Sequence, residues 1–486
     1  HFVEIKTFHS YCFDLLGRIG NLEESDDVVS KAARMIENGE VEPNRISKTV
    51  LVIDEAQDMS ADEYALVHAL ITRNEEMRII AVGDDDQNIF EFRGSDSKYM
   101  YQLTEVEGSR FVEMTENFRS CKAVVAFANT FANRIQGRLK KTPIVSMSPD
   151  SGIVTIHRFL SPNMYIPLVR DFVSGSGKGK VGLLTQTNEE AVILLALLRS
   201  HGIQAKLIQS ADGFRFGALA EVKYFMKSLD AGVSTPIIPD DVWTISKNRL
   251  FDKYASSTTL PYLQRCLEVF ERTNRKKYYT DFKEFIFESG LEDFCDTAGS
   301  NVTVSTIHKS KGREYDEVYM LLAGNFGVSD EQLRRYYVGM TRAKKGLHIY
   351  TDSSCFDRQY FLGDRLYDTQ EYPLPDNVVL QLTHKDVVLS FFASRKKEAL
   401  SLMGGDPLNY GGDYLYNNRT GKPVVKLSAR MRESLRMWEE KGYHVTSAAV
   451  RFVVAWKEKD ADPQQPETAV LLPELTLTKT LAQALP

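Results

Sequence analysis

Residues 50–58 read VLVIDEAQD. Four consecutive apolar residues, three of them β-branched, with no polar alternation predict a buried parallel strand. That strand ends in Asp54 and Glu55. Open α/β sheets bind ligands beyond the carboxyl ends of their parallel strands, so two acids at such a tip are candidates for chemistry. Downstream, residues 63–71 have helical spacing, and residues 77–82 (MRIIAV) form a second apolar strand running into Gly83. Strand, helix, strand is the unit of doubly wound α/β folds. The pattern recurs in residues 181–184, 189–199 and 205–208, and further strands are expected at 302–306, 317–321 and 346–350. The expected fold class is therefore α/β, with two doubly wound parallel-sheet domains over residues 1–145 and 146–352.

The rest of the chain organises around those domains. Residues 1–6 (HFVEIK) read as the middle of a strand, with neither an initiating Met nor a signal-peptide pattern, so the chain is expected to be cut from something longer. Residues 236–241 mark a break, and about 232–298 are expected to be a small helical insertion. Residues 353–384 read as a linker. Residues 385–486 read as a small C-terminal α+β accessory domain. It has a helical pattern at 388–402, then Gly/Tyr/Asn-rich turns, a helix at 429–441, a β-like run at 449–456 and a break near Pro463.

Composition excludes several classes. Of 486 residues, 43% are hydrophobic and 26% charged, which is ordinary for a globular protein. No apolar run approaches the roughly 18 residues that a membrane span needs. The longest, 191–198, reads as a buried helix. The five cysteines are scattered without a CxxC pair, which argues against zinc or iron–sulfur sites and suits a reducing cytoplasm. A formal net charge of −6 weighs mildly against nucleic-acid binding, although a local groove matters more than the sum.

Five further stretches carry chemistry. At a strand tip, Asp54 can hold Mg²⁺ and Glu55 can orient and deprotonate a water; a charged turn is the plainer alternative. Residues 82–87 (VGDDDQ) end in Gln87, a neutral donor and acceptor suited to sensing a γ-phosphate. Phe90, Phe92 and Arg93 follow, and aromatics interleaved with Arg suit a single-stranded DNA track, although Phe90 and Phe92 could equally be core. Residues 116–120 (ENFRS) place Phe118 beside Arg119. Residues 304–318 (VSTIHKSKGREYDEV) form a donor-rich loop between strands, with Lys311 among the groups able to meet a phosphate. Residues 335–344 (RYYVGMTRAK) present Arg342, a residue type that stabilises transferred phosphoryl charge.

In order, these stretches resemble motifs II to VI of the UvrD/Rep/PcrA superfamily 1 DNA helicases, and residues 6–10 (KTFHS) resemble their motif Ib. The resemblance covers about residues 1–352. It implies two RecA-like domains of the P-loop NTPase type, and ATP and Mg²⁺ as cofactors. The implied partner is single-stranded DNA, or duplex with a single-stranded tail, with 3′ to 5′ movement. It assigns Asp54 to Mg²⁺, Glu55 to the catalytic base, Gln87 to the γ-phosphate, Phe118 to adenine stacking and Glu314 to the ribose. Arg119 and Arg342 would clamp the γ-phosphate. Thr7, Phe8, His9, Phe90, Phe92, Arg93, Thr306 and His308 would line the DNA path.

The chain also departs from that pattern. Phe92 stands where Trp is usual, and Arg313 where Leu is usual. The spacing from Phe8 to Asp54 leaves a minimal subdomain 1B, and that between Leu229 and Val302 a reduced 2B. No GxxxxGK[ST] occurs. Residues 175–179 (GSGKG) read as a surface loop, and the phosphate loop is expected upstream of His1. Two functions stay open: an ATP-driven motor, of which this chain is the larger part and by itself inactive, or a non-catalytic DNA- or partner-binding module on the same fold. Protein partners are not indicated.

Overall fold

The computed structural model describes residues 3–16, 27–74, 76–91, 94–175, 179–208, 213–230, 237–295, 300–324, 329–357, 359, 361, 363–457 and 467–480. They divide into two compact units. The first comprises His1–Met164, Gly177–Leu184 and Ile307–Glu371, and the second Tyr165–Ser176, Thr185–Thr306 and Tyr372–Pro486.

In the first unit, Val50–Ile53 pairs in parallel with Arg78–Ala81, in register Val50 to Arg78 and Ile53 to Ala81. The connecting helix, Ala61–Arg73, starts at a capping box: the Ser60 hydroxyl accepts from the Glu63 amide, and the Glu63 carboxylate accepts from the Ser60 amide. Leu51, Ile53 and Ile79 belong to a core with Ala56, Met59 and Val67, against which Phe8 packs. The expected full burial of this strand does not hold. Val50, Val52 and Ile80 are 46%, 62% and 53% exposed. A parallel strand is buried on both faces only when layers cover both, and one face here is uncovered among the described residues.

The same unit holds a run of parallel strands ordered Asp364–Asp368, Ile153–Phe159, Ala343–Thr351, Tyr315–Leu322, Val181–Thr185. Inward residues Val154, Ile156, Val318, Met320, Leu347 and Ile349 pack on Phe127 and Phe131 of the helix Lys122–Ala132. The parallel α/β fold read from the sequence is thus present. Residues 3–6, expected to be strand, form no strand. Val3 and Ile5 are 85% and 92% exposed, and no strand among the described residues offers them a ladder.

The second unit contains the parallel pair Ala205–Leu207 and Val302–Thr306 and the helix Asn188–Ser200, whose residues 191–195 are all buried, as the apolar run suggested. Helices Asp240–Lys253, Leu260–Thr273 and Tyr279–Glu288 pack round Phe225, Trp243, Phe270 and Phe282. A six-stranded, largely antiparallel sheet carries the helix Ala429–Glu440. Two strands, Asp364–Asp368 and Asn377–Gln381, lie in residues read as linker. Their partners are some 200 and 95 positions distant, Ile153–Phe159 and Thr468–Lys479, so nothing local reveals the pairing. The pattern at 388–402 gives only the short turns Leu389–Ser394 and Lys396–Ala399. No helix among the described residues is long and apolar enough to cross a membrane.

Candidate nucleotide site

Asp54 and Glu55 emerge, exposed, from the carboxyl end of Val50–Ile53. Glu55 has φ 51°, the left-handed region, and is the one non-glycine residue there among those described. Such a conformation costs about 1–3 kcal/mol and persists only where neighbours fix it. They do so here. The Asp54 carboxylate accepts from the Glu55 amide (3.0 Å), Ala56 N–H donates to Val82 O (2.9 Å), and the Gln57 amide donates to the Glu55 carboxylate. Gln57 is wholly buried and its Oε1 also accepts from Asp84 N–H (2.9 Å), tying the two strand tips together. Gly83 makes room for that tie: a Cβ there would lie 2.5 Å from Gln57 Oε1.

The second tip carries Asp84, Asp85, Asp86 and Gln87. Each acid is committed. Asp86, fully buried, is held in a fork by Arg138 (2.6–3.0 Å). Asp85 accepts from Leu139 N–H (2.7 Å), and Asp84 pairs with Lys140 (3.1 Å). Burial raises the Asp86 carboxyl above its usual range and Arg138 opposes that. Gln87 Nε2 donates to Asp84 (2.7 Å), which leaves its Oε1 to accept from Arg342 Nη2 (2.8 Å).

Arg342 is 3% exposed. Its bonds go to the Val338 carbonyl, the Thr341 hydroxyl and Gln87, all neutral. Burial, and then the positive charge of Arg119, lower its guanidinium to about 10. Arg119 pairs with Glu314 (2.5 Å), which also meets Lys344 (2.8 Å). The Lys344 bond, with Arg119, holds the Glu314 carboxyl below its usual range despite partial burial. Lys311 reaches Asp58 (2.5 Å), Gln87 O (3.1 Å) and Glu55 (3.7 Å), with the Phe90 ring 5.0 Å away. Burial raises the Asp58 carboxyl, against the pull of Lys311. Phe118 stands 75% exposed beside Arg119.

The structure therefore joins Glu55, Lys311, Gln87 and Arg342 through direct contacts and pairs Arg119 with Glu314, both of which act electrostatically on Arg342, with Asp54 and Phe118 next in sequence to members. Among the expected DNA-path residues, Thr7 caps the helix Phe8–Leu16 by accepting from Ser10 N–H (3.2 Å). His9 lies on that helix, half-buried. Phe90 packs against the core under the parallel run, so it is part core and part ring for Lys311. His308 lies in the first unit, and Thr306, 6% exposed, in the second. Phe92, Arg93 and residues 176–178 of the Gly175–Gly179 stretch lie outside the described residues. Sequence reasoning missed Gln57, Asp58, Gly83 and Lys344. The first two sit inside the quoted VLVIDEAQD, but only the approach of residues 84 and 311 gives them partners.

Two family descriptions match: the UvrD/REP helicase N-terminal domain over residues 17–106, and the UvrD-like helicase C-terminal domain over 240–354. DNA helicase II of Salmonella typhimurium is 21% identical over 441 residues, covering 70% of this chain and 59% of that protein. ATP-dependent DNA helicase Rep of Buchnera aphidicola is 28% identical over 125 residues, covering 25% and 18%. Gabija protein GajB of Bacillus cereus is 21% identical over 325 residues, covering 62% and 63%. The chain spans less than two thirds of the length of each. The N-terminal match takes in both carboxylate-bearing strands, and the C-terminal match runs past Arg342; over these two segments the chain is similar to the UvrD-like helicases.

Proposed function

We propose that this chain forms the larger part of an ATP-driven translocase or helicase acting on single-stranded DNA, with the 3′ to 5′ direction that the motif resemblance implies. The observation that carries this reading is Arg342. A guanidinium 3% exposed, hydrogen-bonded only to neutral groups and facing Gln87, with the carboxylates of Glu314, Glu55 and Asp84 acting on it only through space, is a positive charge placed to meet an anion directly.

ATP with Mg²⁺ would supply the phosphoryl group to be hydrolysed, and the residues present suit much of that ligand. Asp54 would hold the ion. Phe118, exposed, offers a face for the base, and Glu314 would meet the ribose once Arg119 turns to phosphate. Glu55, held in its strained conformation by Gln57, would orient and deprotonate the water. Gln87 and Arg342 would stabilise charge on the departing phosphoryl oxygens, and Lys311 would hold Glu55 and the 307–314 loop near one another. A second reading, a non-catalytic DNA- or partner-binding module, draws on the lack of any GxxxxGK[ST] in the sequence. The retention of both carboxylates and both arginines favours the motor.

DNA binding tests the proposal. Labelled oligonucleotides titrated at two salt concentrations should bind as single strands, without base preference, and more weakly as salt rises. Phe92→Ala, at the position the motif order gives to base stacking, should weaken binding about tenfold. Preference for duplex, or indifference to Phe92→Ala, would show that the DNA path lies elsewhere.

A further inference from the structure

The accessory sheet of the second unit has an outer face that the motor reading does not use. Strands Pro407–Gly411, Tyr414–Asn417 and Pro423–Lys426 form an antiparallel meander. Leu408, Leu415, Val424 and Val425 are buried. Residues opposite one another in register point to the same face. Tyr414 stands opposite Gly411 and Lys426, so these three share the outer face with Tyr416 and its opposite, Asn409. The Val388 amide bonds Lys426 O (2.9 Å), which lays the turn Leu389–Ser394 along the free edge and brings Phe391 beside Tyr414.

The result is a row of rings. Phe391 to Tyr414 is 5.9 Å and Tyr414 to Tyr416 is 6.3 Å between centroids. All three are half-exposed. Gly411 clears the space: a Cβ there would lie 2.7 Å from the Tyr416 ring. Cations flank the row. Lys426 lies 5.7 Å over Tyr414 and Arg395 5.6 Å over Phe391, and neither is paired with a carboxylate among the described residues. Exposed Arg419 and Lys422 stand at the turn that joins the last two strands, Arg419 bonded to the Ser401 carbonyl (3.3 Å) and Lys422 paired with Glu398 (3.2 Å). Residues 385–441 hold eleven Lys and Arg against seven Asp and Glu, a local excess of positive charge in a chain of net charge −6.

We propose that this face is a second, sequence-tolerant docking site for single-stranded DNA, with bases stacking on Phe391, Tyr414 and Tyr416 and the phosphates following Arg395, Lys426, Arg419 and Lys422. Adjacent rings, with Arg395 and Lys426 over them and no carboxylate paired to either among the described residues, match what unpaired bases on a polyanion need, since every base has a face to stack on. A stacked duplex hides those faces, and an apolar protein partner would leave the cations uncompensated. The site needs no nucleotide and no motif of the motor, so it stands or falls apart from the proposed ATP-driven activity.

The experiment is photocrosslinking of the full chain to an oligothymidylate containing 5-iodouracil, with peptide mapping, alongside anisotropy titrations. Crosslinks to Tyr414, Tyr416 or Phe391 are expected. Tyr414→Ala with Tyr416→Ala should abolish those crosslinks and weaken total binding about tenfold, whereas Tyr414→Phe with Tyr416→Phe should preserve both. If the alanine variant does not fold, Arg395→Glu with Lys426→Glu should give the same loss and a shallower salt dependence. Crosslinks confined to residues 1–352 would overturn the assignment while leaving the motor's DNA path intact. So would tighter binding of duplex by the accessory face, or equal affinity of the alanine variant. Loss of crosslinks in residues 1–352 with retention at the tyrosines would instead count against the motor path alone.

Discussion

Arg342 separates the needs of the site from the needs of the fold. Burial lowers its guanidinium to about 10, so at neutral pH the folded protein keeps a charge in a place that disfavours it. Replacing a buried charge by an apolar side chain of similar volume removes a desolvation penalty on the order of several kcal/mol per ion. Arg342→Met should therefore leave the urea midpoint unchanged or higher. In a form that turns over ATP, the same change should cut the rate by roughly 10³-fold or more while changing nucleotide affinity far less. An unfolding free energy lowered by more than about 1 kcal/mol would mean that the bonds to Val338 and Gln87 dominate. Glu55 shows the same tension in its backbone, where a left-handed residue is tolerated because Asp54 and Gln57 restrain it. The sequence marked both residues as chemical, but it could not show that one is strained or that the other hydrogen-bonds only neutral groups.

The 307–314 loop and the turn after Val50–Ile53 are joined by Lys311, 10% exposed at its side chain, and Asp58. Breaking one half of such a pair leaves a desolvated charge, so Lys311→Met should destabilise by about 1–3 kcal/mol. The double change with Asp58→Asn should recover part of that, because the orphaned charge is gone. Chemical unfolding of the two single variants and the double variant measures the coupling, and strict additivity would mean that the ion pair contributes nothing. Elements of this kind were legible in part. A continuous apolar run announced Val50–Ile53, short β-favouring stretches announced Val181–Thr185 and Val302–Thr306, and the capping boxes at Ser60 and Thr187 begin their helices. Asp364–Asp368 and Asn377–Gln381 were not legible, because such short strands are defined by distant ladder partners. The 388–402 stretch has helical spacing but yields to the edge strand Pro423–Lys426, whose free carbonyl at residue 426 captures the Val388 amide.

Across the whole chain, the expected chemistry exceeds what its own residues supply. Backbone amides and a lysine that cradle the β- and γ-phosphates are what GxxxxGK[ST] provides, and the sequence contains none. The purified chain should accordingly show no appreciable DNA-stimulated ATP hydrolysis. Robust turnover that Glu55→Gln abolishes would refute this and would point to another phosphate cradle. The sequence by itself determined the parallel α/β class, the order of the motifs and the identity of the charged and aromatic groups, because strand burial and motif spacing are written locally. Only the tertiary structure decided which of those groups meet. Gln87 faces Arg342, Arg119 is held by Glu314, Lys311 bridges Asp58 and Glu55, and Tyr414 lines up with Tyr416 and Phe391. Each of these contacts joins residues from different elements, and sequence spacing carries no record of which strand tips and sheet faces the folded backbone brings within hydrogen-bond or stacking distance.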